Sequence, residues 1–254
     1  MKKLLCLLLL SLTLTACNQR DLPLEETEEF IAPPGAATMS CRVMEEEDGS
    51  LLLAQVDGRK FDVFTTSSRD VEVKFEDPAR SSIQEGDLVE IIFDGSVMET
   101  YPAHPSGVEE IWVWADGFDD TALLYLEVFE DMVEEDAALA HDADMIGLDL
   151  SETALSPAEQ AAAALLLEGE TGLTVLEGTW EELVDQGYID GENLYWEDGY
   201  FLSATETERT DTGLTFSAQL WRSGLGALFY SDCNTGREVN GPWEEYIIGA
   251  VAVS

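Results

Sequence analysis

Hydrophobic and polar positions change rhythm three times along the chain. An apolar run at residues 4–13 is interrupted only by Ser11 and Thr13. Residues 38–114 then carry short stretches separated by turn residues, several with the period-two pattern of half-buried strands. Lys60-Phe61-Asp62-Val63-Phe64 and Val71-Glu72-Val73-Lys74-Phe75 alternate cleanly, and residues 38–44, 51–56, 88–93, 96–98 and 110–114 complete the set. Asp48-Gly49, Asp57-Gly58, Gly86-Asp87 and Asp94-Gly95 punctuate them, Asp57-Gly58 being a type I′ hairpin signal. Five or six short strands with tight turns predict a small antiparallel β-barrel over residues 38–115.

Beyond Ala115-Asp116-Gly117 the period lengthens to 3.6. Asp119-Asp120 opens a helix whose apolar stripe is Leu123, Leu124, Leu126, Phe129, Met132 and Val133. Ser156-Pro157-Ala158-Glu159 and Thr179-Trp180-Glu181-Glu182 are capping boxes that start two more helices, the second ending near Gly187. Strand patterns return at residues 195–207, 214–221, 227–230 and 246–253. Helices followed by strands predict an α+β domain over 117–254, with helices packed on a four-stranded antiparallel sheet and no βαβ alternation.

The first 37 residues belong to neither unit. Lys2 and Lys3 precede the apolar run, which is shorter than the roughly 20 residues a bilayer span requires. Its features are those of a secretory leader. Leu14-Thr15-Ala16-Cys17 resembles the lipobox of bacterial lipoproteins. The resemblance implies cleavage after residue 16, a diacylglyceryl group on the Cys17 sulfur, and a chain lipid-anchored to the cell membrane facing the extracytoplasmic side. Asn18 is not the aspartate that marks inner-membrane retention in that family. Residues 17–37 read as an acidic tether: Glu25, Glu26, Glu28 and Glu29 precede Pro33-Pro34-Gly35. Extended, it reaches roughly 65 Å at about 3.3 Å per residue.

A second resemblance lies in Gly86-Asp87-Leu88-Val89-Glu90-Ile91, Asp94-Gly95, Glu99-Thr100-Tyr101-Pro102 and Ile111. These are similar to an OB-like domain of uncharacterised function found in secreted bacterial lipoproteins. The resemblance implies an OB-like barrel and a location, and no reaction. Thr179-Trp180-Glu181-Glu182-Leu183-Val184 and Trp221-Arg222-Ser223-Gly224 are similar to the same group.

Charge narrows the function classes. The chain has 53 acidic residues against 12 Lys and Arg, a formal net charge of −41, and neither Lys nor Arg lies between Arg80 and Arg209. Phosphate binding needs clustered Lys and Arg, so nucleic acid is excluded as a partner. Anionic headgroups are equally unsuited, which leaves the membrane contact to the lipid. Cationic proteins, divalent cations and neutral glycans are compatible partners; a solvated acidic coat is the plain alternative.

Candidate chemistry is sparse. Trp112 and Trp114 lie on one side of the last strand of the first unit, with Ile111 and Val113 on the other. The two indoles read either as a platform for a sugar or peptide or as packing against the second unit. Asp142, Asp144 and Asp149 resemble the start of a calcium loop, but Ile146 and Thr153 stand where an EF-hand needs an oxygen ligand and a glutamate. A looser Ca²⁺ site or an acidic connector both fit. Cys41 and Cys233 permit either a disulfide or two buried thiols. His104 sits in a Pro-flanked loop with no nucleophile elbow. The glycines around Arg222 lack the spacing of a phosphate loop and read as a turn. No catalytic residue and no cofactor is indicated. The expected function is a non-enzymatic binding or interaction module; a glycan-acting hydrolase and a calcium-responsive surface protein are the alternatives.

Overall fold

The computed structural model describes residues 30–56 and 63–254. The lipobox, Cys17 and the Asp57-Gly58 turn lie outside the described residues. Within them the chain is mostly β, with several sheets and four helices, and no helix is long and apolar enough to cross a bilayer.

The first sheet contains β1 (Ala37–Glu47), β2 (Ser50–Gln55), β3 (Val63–Ser67), β4 (Glu72–Phe75), β5 (Leu88–Phe93) and β8 (Glu110–Val113), in the order β3-β2-β1-β5-β8-β4. A separate two-stranded ribbon pairs β6 (Val97–Met98) with β7 (His104–Pro105). The long β1 serves two neighbours. Its first half pairs with β5, its second with β2, and a register shift between Val43 and Glu45 separates the regimes. Period-two alternation places Met39, Cys41, Val43, Leu51, Leu53, Val89, Ile91, Ile111 and Val113 in one core.

Two expectations for this unit change. The barrel is not closed among the described residues: the sheet ends at β3 and β4, and β4 runs parallel to β8. Only a bridge from Phe64 to Ala103 ties β3 to the segment before β7, with Thr65 N donating to Ala103 O at 2.9 Å. Nor is the unit buried on one face alone. Met44, Leu52, Ala54 and Val63 point away from its own core and join that of the second unit. This accounts for the unbroken apolar run at residues 51–54, which is buried on both faces.

The second sheet has six strands rather than four and is mixed rather than antiparallel. Its order is β10 (Thr174–Glu177), β9 (Met145–Glu152), β11 (Gly199–Arg209), β12 (Gly213–Ser223), β13 (Gly226–Gly236), β14 (Ala250–Val253). β9 is parallel to both β10 and β11. The helix between β9 and β10 therefore completes a βαβ unit, contrary to expectation. The signal was hidden because β9 begins inside the acidic stretch read as a calcium loop or connector. Ile146, Leu148 and Leu150 are its buried apolar positions. Gly147 allows close packing on the opposite face: a Cβ there would stand 2.6 Å from Leu183 Cδ1 and 2.8 Å from Phe201 Cδ2.

The helices are α1 (Thr121–Glu135), α2 (Ala137–Ala140), α3 (Pro157–Thr171) and α4 (Trp180–Asp185). Both capping boxes form as read. Ser156 accepts from Glu159 N and Thr179 from Glu182 N, with the glutamates returning the bond. Gly172 ends α3 in the left-handed conformation at φ 68°. Small residues Ala158, Ala162, Ala163 and Ala164 let α3 approach β1 to β3 on one side and the second sheet on the other. The two units thus share a core across α3.

A polar joint completes the contact. Asp119 N donates to Gly86 O at 2.8 Å, and Arg42 donates to Gly86 O and Gly117 O. Arg42 also pairs with Glu159 at 3.4 Å. Asp119 receives Arg209 at 2.5 Å and Arg237 at 3.4 Å, and accepts from Thr121 N and Oγ1. Arg237 lies 4.0 Å from the Trp243 ring centroid, and Trp243 Nε1 donates to Thr121 Oγ1 at 2.8 Å. Burial alone would raise the Asp119 carboxyl. The Thr121 hydrogen bond and the Arg209, Arg42 and Arg237 charges outweigh it and hold the group below the usual carboxylate range.

Candidate functional site

Between the two units lies a groove. The α1 stripe buries Leu124, Tyr125, Val128, Phe129 and Met132, whereas Leu123 and Leu126 on its shoulder are half-buried. On α3, Leu167 is buried and Leu165 and Leu166 are half-buried. These shoulders, with Met44, Leu52 and Pro102 from the first unit, line an open apolar trough of about 730 Å³. A second hollow of about 270 Å³ shares Leu126 and Glu170 with it and continues between α1 and α3 toward Tyr200. The two adjoin at Leu126 and Glu170.

Its rim is acidic. Glu45, Glu85 and Glu170 edge the larger part, and Glu130 and Glu134 the smaller. Among the described residues no Lys, Arg or His lines either part. Burial, then the charges of Glu47 and Glu85, push the Glu45 carboxyl above the usual range. Burial pushes the Tyr200 hydroxyl up to about 12. A carboxylate raised by burial and by neighbouring acids, as Glu45 is, is relieved by a cationic group, while the half-buried leucines offer apolar area to the same ligand. The arrangement suits binding, and among the described residues its lining pairs no nucleophile with a base.

The residues singled out from sequence lie elsewhere. Trp112 and Trp114 do share a face, but Trp112 is only 2% exposed. Phe30 covers the pair, its ring centroid 5.8 Å from Trp112 and 5.4 Å from Trp114. The cover comes from the tether rather than from the second unit. Asp142 is exposed beside His141, with Nδ1 at 2.9 Å. Asp144 immediately precedes β9, and Asp149, near its far end, accepts from Ser151 N and Oγ. Five residues of strand place Asp144 and Asp149 about 17 Å apart. Among the described residues no group of three His, Cys, Asp or Glu is placed to hold a metal ion.

Cys41 and Cys233 are thiols in separate cores, so the bridge between them is not formed. Burial, then Asp232, pushes the Cys233 thiol up to about 11. His104 is half-buried in β7. Arg222 donates to Leu139 O, His141 O and Glu197 O, which makes it a strut beneath the β12–β13 turn rather than an anion site.

Sequence reasoning missed the groove because its walls come from positions far apart in the chain, from Met44 to Leu202. The only local signal was the Leu165-Leu166-Leu167 run, wider than one helical face needs. Comparison with protein-family models, with curated proteins and with solved structures gave no match to this chain.

Proposed function

We propose that the chain is a lipid-anchored extracytoplasmic interaction module that holds a cationic, amphipathic segment of a partner protein in the groove between α1, α3 and the first sheet. The carrying observation is an apolar trough whose charged edge, among the described residues, is acidic. A helix with one leucine-rich face and one lysine-rich face would bury its apolar side against Leu123, Leu126, Leu165 and Leu166 and place its charges at Glu45, Glu85 and Glu170. The net charge of −41 steers such a partner from a distance and repels nucleic acid and anionic lipid.

The lipid on Cys17 and the location remain part of this proposal, resting on the lipobox resemblance. An OB-like ancestry of the first unit belongs here too. Its support is the β1-β2-β3 meander, the return of β5 beside β1, and the Ala103 bridge back to Phe64.

The test is titration of the chain with a helical Leu/Lys amphipathic peptide and with its Leu/Glu counterpart at low and high salt. Salt-sensitive binding of the first alone is expected. Equal binding of both peptides, or of neither, removes the reading. Mass spectrometry of material from native cells tests the anchor separately, the expected species beginning at a diacylated Cys17.

A further inference from the structure

A second site lies on the first sheet, remote from the groove in chemistry. Pairing in register carries one row across the outer face of four strands: Ser40 on β1, Glu90 on β5, Trp112 on β8 and Lys74 on β4. Ser40 Oγ donates to Glu90 Oε2 at 2.5 Å, and Lys74 Nζ reaches Glu110 at 2.7 Å. Trp114 continues the face one step along, its ring centroid 6.0 Å from that of Trp112 and inclined at 64°.

This row differs from ordinary sheet packing in one respect. Trp112 is 2% exposed, yet its Nε1–H is buried without a hydrogen-bond partner. Buried indole N–H groups ordinarily find an acceptor, and leaving one unmet is costly. The ring packed against Trp112, Phe30, supplies apolar contact and no acceptor atom. A carboxylate, a hydroxyl and an ammonium lie beside it along the same row. The cover and the floor are therefore mismatched: the floor offers stacking faces plus an unmet donor and flanking polar groups, and the cover meets only the stacking.

We propose that this face is a saccharide subsite in which a neutral pyranose ring replaces Phe30. The sugar's axial C–H face would stack on Trp114, and one of its hydroxyls would accept from Trp112 Nε1–H. Neighbouring hydroxyls would donate to Glu90 and accept from Lys74. A sugar fits because each hydroxyl both donates and accepts. A polyproline peptide also stacks on indoles, but its backbone lacks N–H donors, so it would cover Glu90 without donating a hydrogen bond to it. Anionic sugars are disfavoured by Glu72, Glu90 and Glu110 on the same strands. This proposal does not depend on the groove.

The experiment uses the full chain and its Phe30→Ala variant, titrated calorimetrically with chitotetraose, cellotetraose, xylotetraose and maltotetraose, while indole ¹⁵N–¹H resonances are followed. The expected result is that at least one of these binds with a shift of the Trp112 indole N–H as it gains an acceptor. Phe30→Ala should tighten that binding about fivefold, and Trp114→Ala should weaken it about tenfold. Trp112→Phe keeps the ring and removes the donor, so it should weaken binding while the near-ultraviolet circular dichroism stays native. Absence of binding by the Phe30→Ala chain to all four sugars at about 10 mM overturns the proposal. So does a Trp112 N–H that moves with a polyproline peptide and with no sugar. If Phe30→Ala lowers stability and opens no binding, Phe30 is part of the core, and the proposal likewise falls.

Discussion

The joint around Asp119 and the groove beside α3 both lie between the same two units, and they are opposites in charge. At the joint, Arg42, Arg209 and Arg237 converge on one aspartate and its neighbouring carbonyls. In the groove, five glutamates edge the apolar floor and, among the described residues, no cation lines it. A chain with only 12 Lys and Arg places a quarter of them at the joint and, among the described residues, none in the lining of the groove. The difference teaches that acidity here is not a uniform coat. Where the units must be held together it is neutralised internally, and where a surface is left for something else it is not.

The comparison breaks most sharply at Asp119. Asp119→Ala leaves Arg209 and Arg237 facing a cavity in a part-buried site and should cost about 2–3 kcal/mol, read as a lower urea midpoint with an unchanged slope. An unchanged midpoint would make the joint ornamental.

Next in size is the groove. Replacing Glu45, Glu85 and Glu170 together with glutamine should weaken a Leu/Lys peptide about tenfold, chiefly through the association rate, and should not weaken folding. Equal loss after neutralising the same number of acids on the far surface would show that net charge, not the rim, attracts the peptide.

Acid titration sets the two regions against each other. The Asp119 carboxyl is held low in the folded state. It contributes stability that is present above its unfolded pKa near 3.9 and is lost as pH falls through the lower folded value. Asp120, Glu45 and Glu127 are held high, by burial first, so their ionised forms oppose folding at neutral pH. That opposition is relieved as pH falls through their raised values. The urea midpoint should therefore rise from pH 7 to about pH 5 and fall below about pH 4. Asp119→Asn should flatten the acid limb and leave the rise.

The smallest effect is expected from Glu45→Gln alone. It removes one carboxylate raised by burial and by Glu47 and Glu85, and should lift the midpoint slightly at pH 7 and not at all at pH 4.

Legibility followed the range of the interaction. The capping boxes at Ser156 and Thr179 could be read because each is closed within four residues. The opposed faces of Ile111/Val113 and Trp112/Trp114 could be read because a strand alternates by geometry. β9 could not, because Asp142, Asp144 and Asp149 masked a strand whose parallel partners begin about 30 and 55 residues later, at Thr174 and Gly199. The open edge of the first sheet, the separation of Cys41 from Cys233 and the Phe30 cover on Trp112 all depend on segments distant in sequence meeting in space.

By itself, then, the order of residues determined where helices start, which side of each strand is apolar, and that acids far outnumber bases. Those properties are set by neighbours a few positions apart and by simple summation. Which acids are neutralised, which leucines stay half-covered and which indole is left without an acceptor were decided only when α3 settled between the two sheets. Burial and charge pairing are properties of surroundings, and those surroundings are assembled from chain segments tens to more than a hundred residues apart.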